Sequence, residues 1–348
     1  MKKILAIALA LIMMLSFAAC GNQTPAEPAA PAAPAEPAAP AEPAAPAEPA
    51  EPAEPAAETY YVGICQLVQH VALDAATQGF IDALNEALPG QVEFSNQNAS
   101  NDQTVCSTIV NQFIAEEADL ILANATPALQ AAAAATVDIP ILGTSITEYG
   151  VALQIDGFTG VVGGNISGTS DLAPLDEQAA MLNEWFPDAK TVGLLYCSAE
   201  ANSQYQVDVV KAELEAMGYA CTLYSFSDSN DLAAVCEGAA AASDVIYVPT
   251  DNTVAANTTL IDNICRPAGV PIIAGEEGIC SGCGVATLSI SYADLGYTTG
   301  LMAAKILTGE ADISEMAMEY APATPKYNAE ICADLGLTPP SDEYVAIG

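Results

Sequence analysis

Residues 119–144 read DLILANATPALQAAAAATVDIPILGT, a strand, a helix and a second strand in succession. Asp119–Asn124 and Ile139–Thr144 are short apolar runs of the kind that form buried strands. Between them, Pro127–Thr136 is rich in Ala and begins with Pro, a residue that the first turn of a helix accepts. Two strands joined by a helix are the repeating unit of a parallel sheet that helices cover on both faces.

The same alternation of strand and helix patterns extends over residues 59–348 in two successive series. A stretch rich in Gly and Ser, Gly160–Asp171, separates the two series and is predicted to be a hinge. We therefore predict an α/β fold of two doubly wound parallel-sheet lobes joined by a hinge. The predicted N-terminal lobe comprises residues 59–168 and about 289–312, and the predicted C-terminal lobe comprises residues 169–288 and about 313–348.

The charge of the chain is strongly one-sided. Its 348 residues contain 7 Lys and Arg against 44 Asp and Glu, which gives a formal net charge of −37. Beyond Lys2 and Lys3 the basic residues are single and scattered, whereas a nucleic-acid-binding protein needs clusters of them to neutralise phosphates. The composition therefore excludes nucleic acid as a partner. Because the sequence has no G-x-x-x-x-G-K motif, the chain is not itself a P-loop ATPase.

The start of the chain has the arrangement of an export signal. Met1–Lys3 is positively charged, Ile4–Phe17 is apolar, and Ala18-Ala19 precedes Cys20. The apolar run is shorter than the roughly 20 residues of a helix that spans a bilayer. The segment resembles the bacterial lipoprotein signal, which implies that residues 1–19 are a signal peptide and that Cys20 carries the lipid. A plain secretory leader with a nearby Cys is the alternative.

Residues 24–58 are a repeat of Pro, Ala and Glu, with Pro at every third position from Pro25 to Pro55. Polyproline II has three residues per turn, so the repeat is predicted to be an extended rod. At roughly 3.1 Å per residue the rod would span about 100 Å. Residues 20–58 are thus a predicted lipid anchor and spacer, which would hold the folded part at the outer face of a bacterial cell membrane. A P-x-x-P ligand for another protein is the alternative.

Polar and small residues follow the predicted strands in both halves. Ligands of open α/β sheets bind beyond the carboxyl ends of the strands, so these residues are candidates for lining a cleft between the lobes. The candidates in the first half are Gln69, His70, Thr126 and Ser145, and those in the second half are Ser198, Glu200, Asn202, Ser203, Asp251, Asn252 and Glu276. Two facing lobes of this kind predict a cleft that closes on a small solute.

Several motifs at these strand ends occur together in a known family. They are QLVQH at 66–70, LIL leading into ATPA at 120–128, SAEANS at 198–203, VPTDNT at 248–253, IAGEEG at 273–278 and GLMAAKIL at 300–307. On these motifs, residues 59–348 resemble the ABC-transporter substrate-binding proteins of the tryptophan/tyrosine-binding type. The resemblance implies a type I periplasmic-binding fold, an aromatic amino acid as the ligand, and delivery to a permease driven by a separate ATPase. Where family members commonly have Glu before the His and Pro after it, this chain has Gln69 and Val71.

An amino acid is a zwitterion, so its pocket needs hydrogen-bond donors for the carboxylate and an anion for the ammonium. The one Arg, Arg266, is not in a strand-end loop, which leaves Ser and Thr hydroxyls and helix-start N–H groups to hold the carboxylate. Candidates for the carboxylate contact are Thr126, Ser198, Asn202 and Ser203, and candidates for the ammonium contact are Asp251, Glu200 and Glu276, with Asn252 as a neutral partner. For Asp251, Asn252 and Asn202 the alternative is helix capping alone.

His70 is the one histidine, and the family resemblance favours a cleft-lining role over that of an ordinary loop side chain. No G-x-S-x-G motif accompanies it, so we predict no hydrolase and no other enzyme activity. Tyr149, Tyr196, Tyr205 and Tyr292 are candidates for stacking on an aromatic ligand, with packing as the alternative for each.

Nine cysteines remain beyond Cys20, and Cys280-x-x-Cys283 is a redox pair, half of a zinc site or a small disulfide. The sequence predicts no cofactor and no resident metal. We expect a monomer that captures its solute without covalent chemistry. The alternatives are a sensory module of the same fold and a receptor for another solute, such as a sugar or nucleoside.

Overall fold

The computed structural model describes residues 59–347, so the predicted signal peptide, Cys20 and the Pro-rich repeat lie outside the described residues. The structure is α/β, as predicted, and its strands form two mainly parallel sheets. Within residues 59–347, no helix is both long enough and apolar enough to cross a bilayer.

The strands are β1 (Tyr60–Gln66), β2 (Val92–Asn98), β3 (Leu120–Asn124), β4 (Ile141–Ile146), β5 (Ile166–Ser170), β6 (Thr191–Cys197), β7 (Ala220–Phe226), β8 (Val245–Val248), β9 (Ile272–Ala274), β10 (Ala286–Ser289), β11 (Glu319–Tyr320), β12 (Thr324–Tyr327) and β13 (Val345–Ala346). The helices are α1 (Val71–Ala87), α2 (Gln103–Ala115), α3 (Thr126–Ala135), α4 (Tyr149–Leu153), α5 (Leu175–Trp185), α6 (Ala201–Ala216), α7 (Ser229–Ala242), α8 (Asn252–Ala255), α9 (Thr258–Ala268), α10 (Glu277–Cys283), α11 (Tyr292–Leu307) and α12 (Ala329–Leu335). A short 3-10 helix covers Ile313–Glu315.

Each lobe is built on one sheet. The first sheet has the strand order β11-β5-β4-β3-β1-β2, and all its described pairs are parallel. The second has the order β13-β12-β10-β9-β8-β6-β7, with an antiparallel pair at β10 and β12. The strands β1 and β6 occupy matching places, and the chain winds outward from each of them in both directions. This is the doubly wound arrangement that the sequence predicts.

Both faces of each sheet are buried, which explains why the strands are apolar at nearly every position. In β3, Ile121 packs with Phe113 on one face, whereas Leu120 and Leu122 pack with Phe80 on the other. The second sheet likewise separates two apolar cores. A strand with one face in water would alternate apolar and polar residues, and β3 does not.

The chain passes between the lobes three times: after β5, between β10 and α11, and between β11 and β12. Helix α11 packs against α1 in the first lobe. Gly296 permits this contact, because a Cβ there would lie 1.9 Å from the carbonyl oxygen of Ala76. Since Glu319–Tyr320 still pairs with β5, the tail of the second lobe begins after Tyr320, later than the predicted residue of about 313.

The stretch predicted as a hinge, Gly160–Asp171, contains strand β5. Its small residues serve close packing, because a Cβ on Gly168 would lie 2.1 Å from the carbonyl oxygen of Gly143 on the neighbouring strand. The φ of Gly168 is also 146°, a value that residues other than Gly rarely adopt. The crossing between the lobes therefore begins at Asp171, at the end of the predicted stretch.

Candidate functional site

A small cavity lies between the lobes, where the carboxyl ends of both sheets face each other. Its lining residues are His70, Leu73, Ser145, Thr147, Asp171, Asn202, Thr250, Asp251, Asn252, Ala255, Glu276 and Tyr292. Its free volume is about 10 Å³, which is room for about one water molecule. The two lobes are therefore nearly closed over the site.

Six of the eleven candidate ligand residues line this cavity: His70, Ser145, Asn202, Asp251, Asn252 and Glu276. The other five are Gln69, Thr126, Ser198, Glu200 and Ser203, which do not line it. Gln69 and Ser198 are exposed, and the Ser198 hydroxyl donates a hydrogen bond to the carbonyl of Phe226. Thr126 and Ser203 are buried, and the Ser203 hydroxyl accepts from the Asn202 amide at 3.3 Å.

Two carboxylates on the second-lobe wall begin helices. Asp251 precedes α8, where its Oδ1 accepts from Val254 N at 2.9 Å and its Oδ2 accepts from Cys197 N at 2.7 Å. Glu276 precedes α10 and accepts from the N–H groups of Gly278 and Ile279, both at 2.6 Å. Both side chains therefore cap a helix, which is the alternative given for Asp251 and was not predicted for Glu276. Their oxygens already accept hydrogen bonds from backbone N–H groups.

Glu200 lies behind the cavity wall and is only 3% exposed. One carboxylate oxygen accepts from the backbone N–H of Asn252 at 3.1 Å and from its side-chain amide at 2.7 Å. The other accepts from the N–H of Thr253 at 2.9 Å and from its hydroxyl at 2.8 Å. Glu200 thus fixes the loop that begins α8.

The Asn252 orientation fixes the protonation of His70. Because the Asn252 amide N–H donates to Glu200, its Oδ1 faces His70 Nε2 at 3.3 Å and can only accept. Burial lowers the pKa of His70, so the imidazole is neutral at pH 7 with its hydrogen on Nε2. The other ring nitrogen, Nδ1, is then a hydrogen-bond acceptor.

A buried pair at the crossing between the lobes completes the site. The Tyr292 hydroxyl, in the first turn of α11, donates to Asp171 Oδ2 at 2.8 Å. Burial raises the pKa of Asp171 above its ordinary value. Asp171, Thr147 and Thr250 are not among the site residues that the sequence predicts, and Tyr292 is predicted only as a stacking candidate. In the sequence, the pattern that could have identified Asp171 is an acidic residue directly after the small residues that form β5.

Four buried polar atoms of the cavity lining have no hydrogen-bond partner in the structure. They are His70 Nδ1, Ser145 Oγ, Asp171 Oδ1 and Asn202 Oδ1. Buried polar groups in proteins are nearly always paired, so four such atoms on one cavity indicate a binding site. Three of the four can only accept hydrogen bonds, which suits a ligand group with several N–H donors.

The charge of the lining has one sign. Three carboxyl groups line the cavity, from Asp171, Asp251 and Glu276, and the lining contains no Lys or Arg. Burial raises the pKa of Glu276 from 4.5 to about 7, against the opposing effect of its two backbone donors. Arg266 does not line the cavity, and it pairs with three acids on α9 and α12: Asp262, Glu330 and Asp334.

The cysteines in the described part of the chain are thiols, and most of them are apolar packing residues. Cys65, Cys106, Cys197 and Cys236 are buried, whereas Cys221 is half-buried. Cys280 and Cys283 lie in the buried face of α10, and the Cys283 thiol donates to the carbonyl of Ile279. None of the nine lines the cavity.

A family model described as ABC transporter substrate binding protein matches residues 61–326. Over 256 residues the chain is 35% identical to a protein of Clostridioides difficile (strain R20291) named tyrosine-binding protein, covering 72% of this chain and 73% of that protein. The fold is similar to that of an ABC domain in complex with L-Trp from Streptococcus pneumonia. The identity is 30% and the TM-score 0.79, over 83% of this chain and 100% of that one.

The chain is also similar to the ligand-free, open structure of a substrate-binding protein with adhesive properties from Clostridium difficile. Here the identity is 35% and the TM-score 0.63, over 83% of this chain and 99% of that one. At equal coverage of this chain, the TM-score is lower than for the L-Trp complex although the identity is higher.

Proposed function

The chain belongs to the family of ABC transporter substrate-binding proteins, which are not enzymes, and from this premise we propose that it captures tryptophan or tyrosine between its lobes. It then delivers the amino acid to a membrane permease driven by a separate ATPase. Lipid on Cys20 holds the protein at the outer face of the bacterial cell membrane. The relative named tyrosine-binding protein and the structure with L-Trp support the choice of an aromatic amino acid.

The observation that carries this proposal is the set of four unpartnered atoms beside three carboxyl groups. The ammonium of an amino acid has three N–H donors and a positive charge. Asp171 Oδ1 and Asn202 Oδ1 are both acceptors on the lining, and Asp171 supplies the charge. Burial raises the pKa of all three acids, to about 7 for Glu276 and about 8 for Asp251. A positively charged ammonium favours their ionised form, which a sugar with hydroxyl donors and no charge does not, so the lining favours the amino acid.

The ligand carboxylate is assigned to the first-lobe side of the cavity. Helix α1 begins there, and the side chain of its N-cap residue, His70, makes no capping hydrogen bond. The first N–H groups of a helix have no partner within it and attract anions. The unpartnered Ser145 hydroxyl lies on the same wall and adds a donor. The candidates on other loops, Thr126, Ser198 and Ser203, are not needed for this contact.

The test is the melting temperature of residues 56–348, which form one compact unit, after unfolding and refolding to remove carried-over ligand. Each of the twenty amino acids is added in turn. A ligand at 100 times its Kd should stabilise the protein by about 2.7 kcal/mol, a shift of several degrees. A shift with Trp or Tyr supports the proposal. No shift with any amino acid, followed by one with sugars or nucleosides, would refute the amino-acid assignment.

The lipid anchor has its own test, because it lies outside the described residues. The full chain is expressed in a bacterium, and its Cys20→Ser variant serves as the comparison. We expect the wild-type chain in the membrane fraction and the variant in the soluble or secreted fraction. Equal membrane association of both chains would refute attachment at Cys20.

A further inference from the structure

Two side-chain hydrogen bonds cross the cleft between the lobes within residues 59–347. His70 Nε2 of the first lobe lies 3.3 Å from Asn252 Oδ1 of the second. Asn101, which follows β2 in the first lobe, donates through its side-chain amide to the hydroxyl of Thr253 at 2.9 Å. Asn101 and Thr253 do not line the cavity, so their hydrogen bond joins the lobes without touching a ligand in it.

Both acceptors in these cross-cleft bonds are set by one residue, Glu200. The Thr253 hydroxyl has a single hydrogen, which it donates to Glu200 Oε1 at 2.8 Å, so it can only accept from Asn101. The Asn252 amide donates to Glu200 Oε2 at 2.7 Å, which turns its carbonyl oxygen towards His70. The buried carboxylate uses the donor half of each side chain and leaves the acceptor half for the opposite lobe.

Asn101 is also held in place in its own lobe. Its backbone N–H donates to the carbonyl of Leu67 at 2.8 Å, just beyond β1. Its φ of 64° is in the left-handed region, where Asn and Gly are tolerated best. The neighbouring Ser100 has a similar φ of 54° and is exposed, but makes no side-chain hydrogen bond across the cleft.

We propose that Asn101, His70, Asn252 and Thr253 form a closure latch and that Glu200 is its positioning residue. The latch stabilises the closed arrangement whether or not a ligand is present, so part of the closed population exists before capture. It rests on the proposed function only in treating closure over a ligand as the working step. Glu200, which strand-end position predicts as an ammonium contact, has a different role in the latch.

The latch has a consequence for binding that a ligand contact does not have. A closed state that is more populated lowers the Kd of every ligand by the same factor, because the ligand binds that state. Loss of one neutral hydrogen bond changes an equilibrium by about two- to twelve-fold. Removing the Asn101–Thr253 bond of the latch, which does not touch the cavity, therefore weakens binding of all ligands alike and leaves the ratio between any two of them unchanged.

The deciding experiment compares Asn101→Gly with Ser100→Gly in residues 56–348. Both changes put Gly at a left-handed position, so the backbone effect is matched, and only the first removes a cross-cleft donor. The first measurement is small-angle X-ray scattering of the refolded, ligand-free proteins. We expect a larger radius of gyration for Asn101→Gly than for wild type. For Ser100→Gly we expect the same radius of gyration as for wild type. The same radius for the two variants would overturn the proposal.

The second measurement is the Kd of L-Trp and of L-Tyr by calorimetry. Asn101→Gly should raise both by the same factor, about two- to twelve-fold. A factor that differs between the two amino acids would mean that Asn101 acts on the ligand and not on closure. If neither amino acid binds wild type, the proposed function fails while the scattering result still decides on the latch.

Thr253 and Glu200 give a second route to the same answer. Thr253→Val keeps the shape and removes the hydroxyl, whereas Thr253→Ser retains it. We expect Val to open the ligand-free protein and Ser to restore closure; equal scattering for the two would overturn the latch. Glu200→Gln should exceed Asn101→Gly in this effect, because the Gln amide keeps one accepting oxygen and its NH2 group would face the donors of either Asn252 or Thr253. Should that variant fail to fold, the Thr253 pair still decides.

Discussion

The two walls of the cleft differ in how many of their polar side-chain atoms already have a hydrogen-bond partner in the protein. On the second-lobe wall, Asp251 and Glu276 accept two backbone hydrogen bonds each, and Glu200 behind them holds Asn252 and Thr253. On the first-lobe wall, His70 Nδ1 and Ser145 Oγ are buried without any partner. The presence of a carboxyl group therefore does not by itself identify a ligand contact in this cleft, whereas a buried polar atom without a hydrogen-bond partner does.

The difference has a physical basis. A carboxylate at the start of a short helix satisfies N–H groups that would otherwise be unpaired, so it shapes the loop before any ligand arrives. An atom left unpaired in the ligand-free protein costs free energy, and the ligand recovers that cost when it binds. The acids of the second lobe thus provide a rigid wall, whereas the first lobe, Asp171 at the crossing and Asn202 of the second lobe provide the contacts that binding completes.

The largest expected effect concerns the pH dependence of the second-lobe wall. The pKa of Glu276 in the folded protein is about 7, above its value of 4.5 when unperturbed, because burial disfavours the charged form. The folded protein therefore holds this proton more tightly than the unfolded chain does. Stability that is present below pH 4.5 is lost as the pH rises through about 7, and the loss amounts to about 3 kcal/mol.

Glu276→Gln mimics the protonated form and should flatten this part of the pH profile. The measurement is the free energy of unfolding by urea between pH 4.5 and pH 8, for ligand-free protein. Glu213→Gln, at an exposed position of α6, is the control for the general effect of removing one negative charge. If both variants change the profile equally, Glu276 contributes no more to the pH dependence of stability than a surface acid does.

The next effect tests the crossing between the lobes. Asp171→Asn keeps the shape and removes the charge that we assign to the ligand ammonium. A hydrogen bond to a charged group contributes about 1.5–3 kcal/mol, so the Kd of L-Trp or L-Tyr should rise roughly 10- to 150-fold. The melting temperature of the ligand-free protein should stay the same or rise, because burial of the Asp171 carboxylate is unfavourable.

Calorimetry of the Asp171→Asn variant measures the affinity, and Asp176→Asn is the matched control. Asp176 is an exposed acid in the first turn of α5, so its change should leave the Kd unaltered. An unchanged Kd in Asp171→Asn would move the ammonium to the second-lobe acids. The contrast between the walls would then be refuted.

A smaller effect separates a serine that is unpaired from one that is paired. Ser145→Ala removes the unpartnered hydroxyl and should raise the Kd about two- to twelve-fold without lowering stability. Ser167→Ala removes an equally buried hydroxyl, which donates to the carbonyl of Met316 at 3.1 Å. That variant should lose about 1 kcal/mol of stability and keep its affinity. Urea unfolding and calorimetry on both variants test whether Ser145→Ala lowers only the affinity and Ser167→Ala lowers only the stability.

The sequence predicts the fold well because one physical signal specifies it. Apolar strands buried on both faces, as in Asp119–Asn124, alternate with helices in two series, and the structure has that architecture. The signal is weaker where glycine serves packing. The Gly168 stretch is rich in small residues and was expected to be a hinge, but its composition allows β5 to lie close to β4.

The candidate site is predicted less completely, because strand-end position does not give side-chain partners. His70, Ser145 and Asn202 line the cavity as expected. The partners of Glu200 lie 52 and 53 residues away in the chain, so no local pattern shows that they occupy its oxygens. Asp171 becomes a site residue only through the crossing of the chain between the lobes, which is a property of the topology.

The smallest expected effect comes from two residues that strand-end position predicts as ligand contacts and the structure leaves exposed. Gln69→Ala and Ser198→Ala should each change the Kd of the amino acid by less than about two-fold, since a surface substitution away from a site has little effect. Calorimetry on both variants tests this, with His70→Ala, one residue from Gln69, as the control that must weaken binding. A strong loss in Gln69→Ala would mean that the loop after β1 rearranges when ligand binds. The unpaired atoms of the ligand-free protein would then be an incomplete guide to the contacts of the complex.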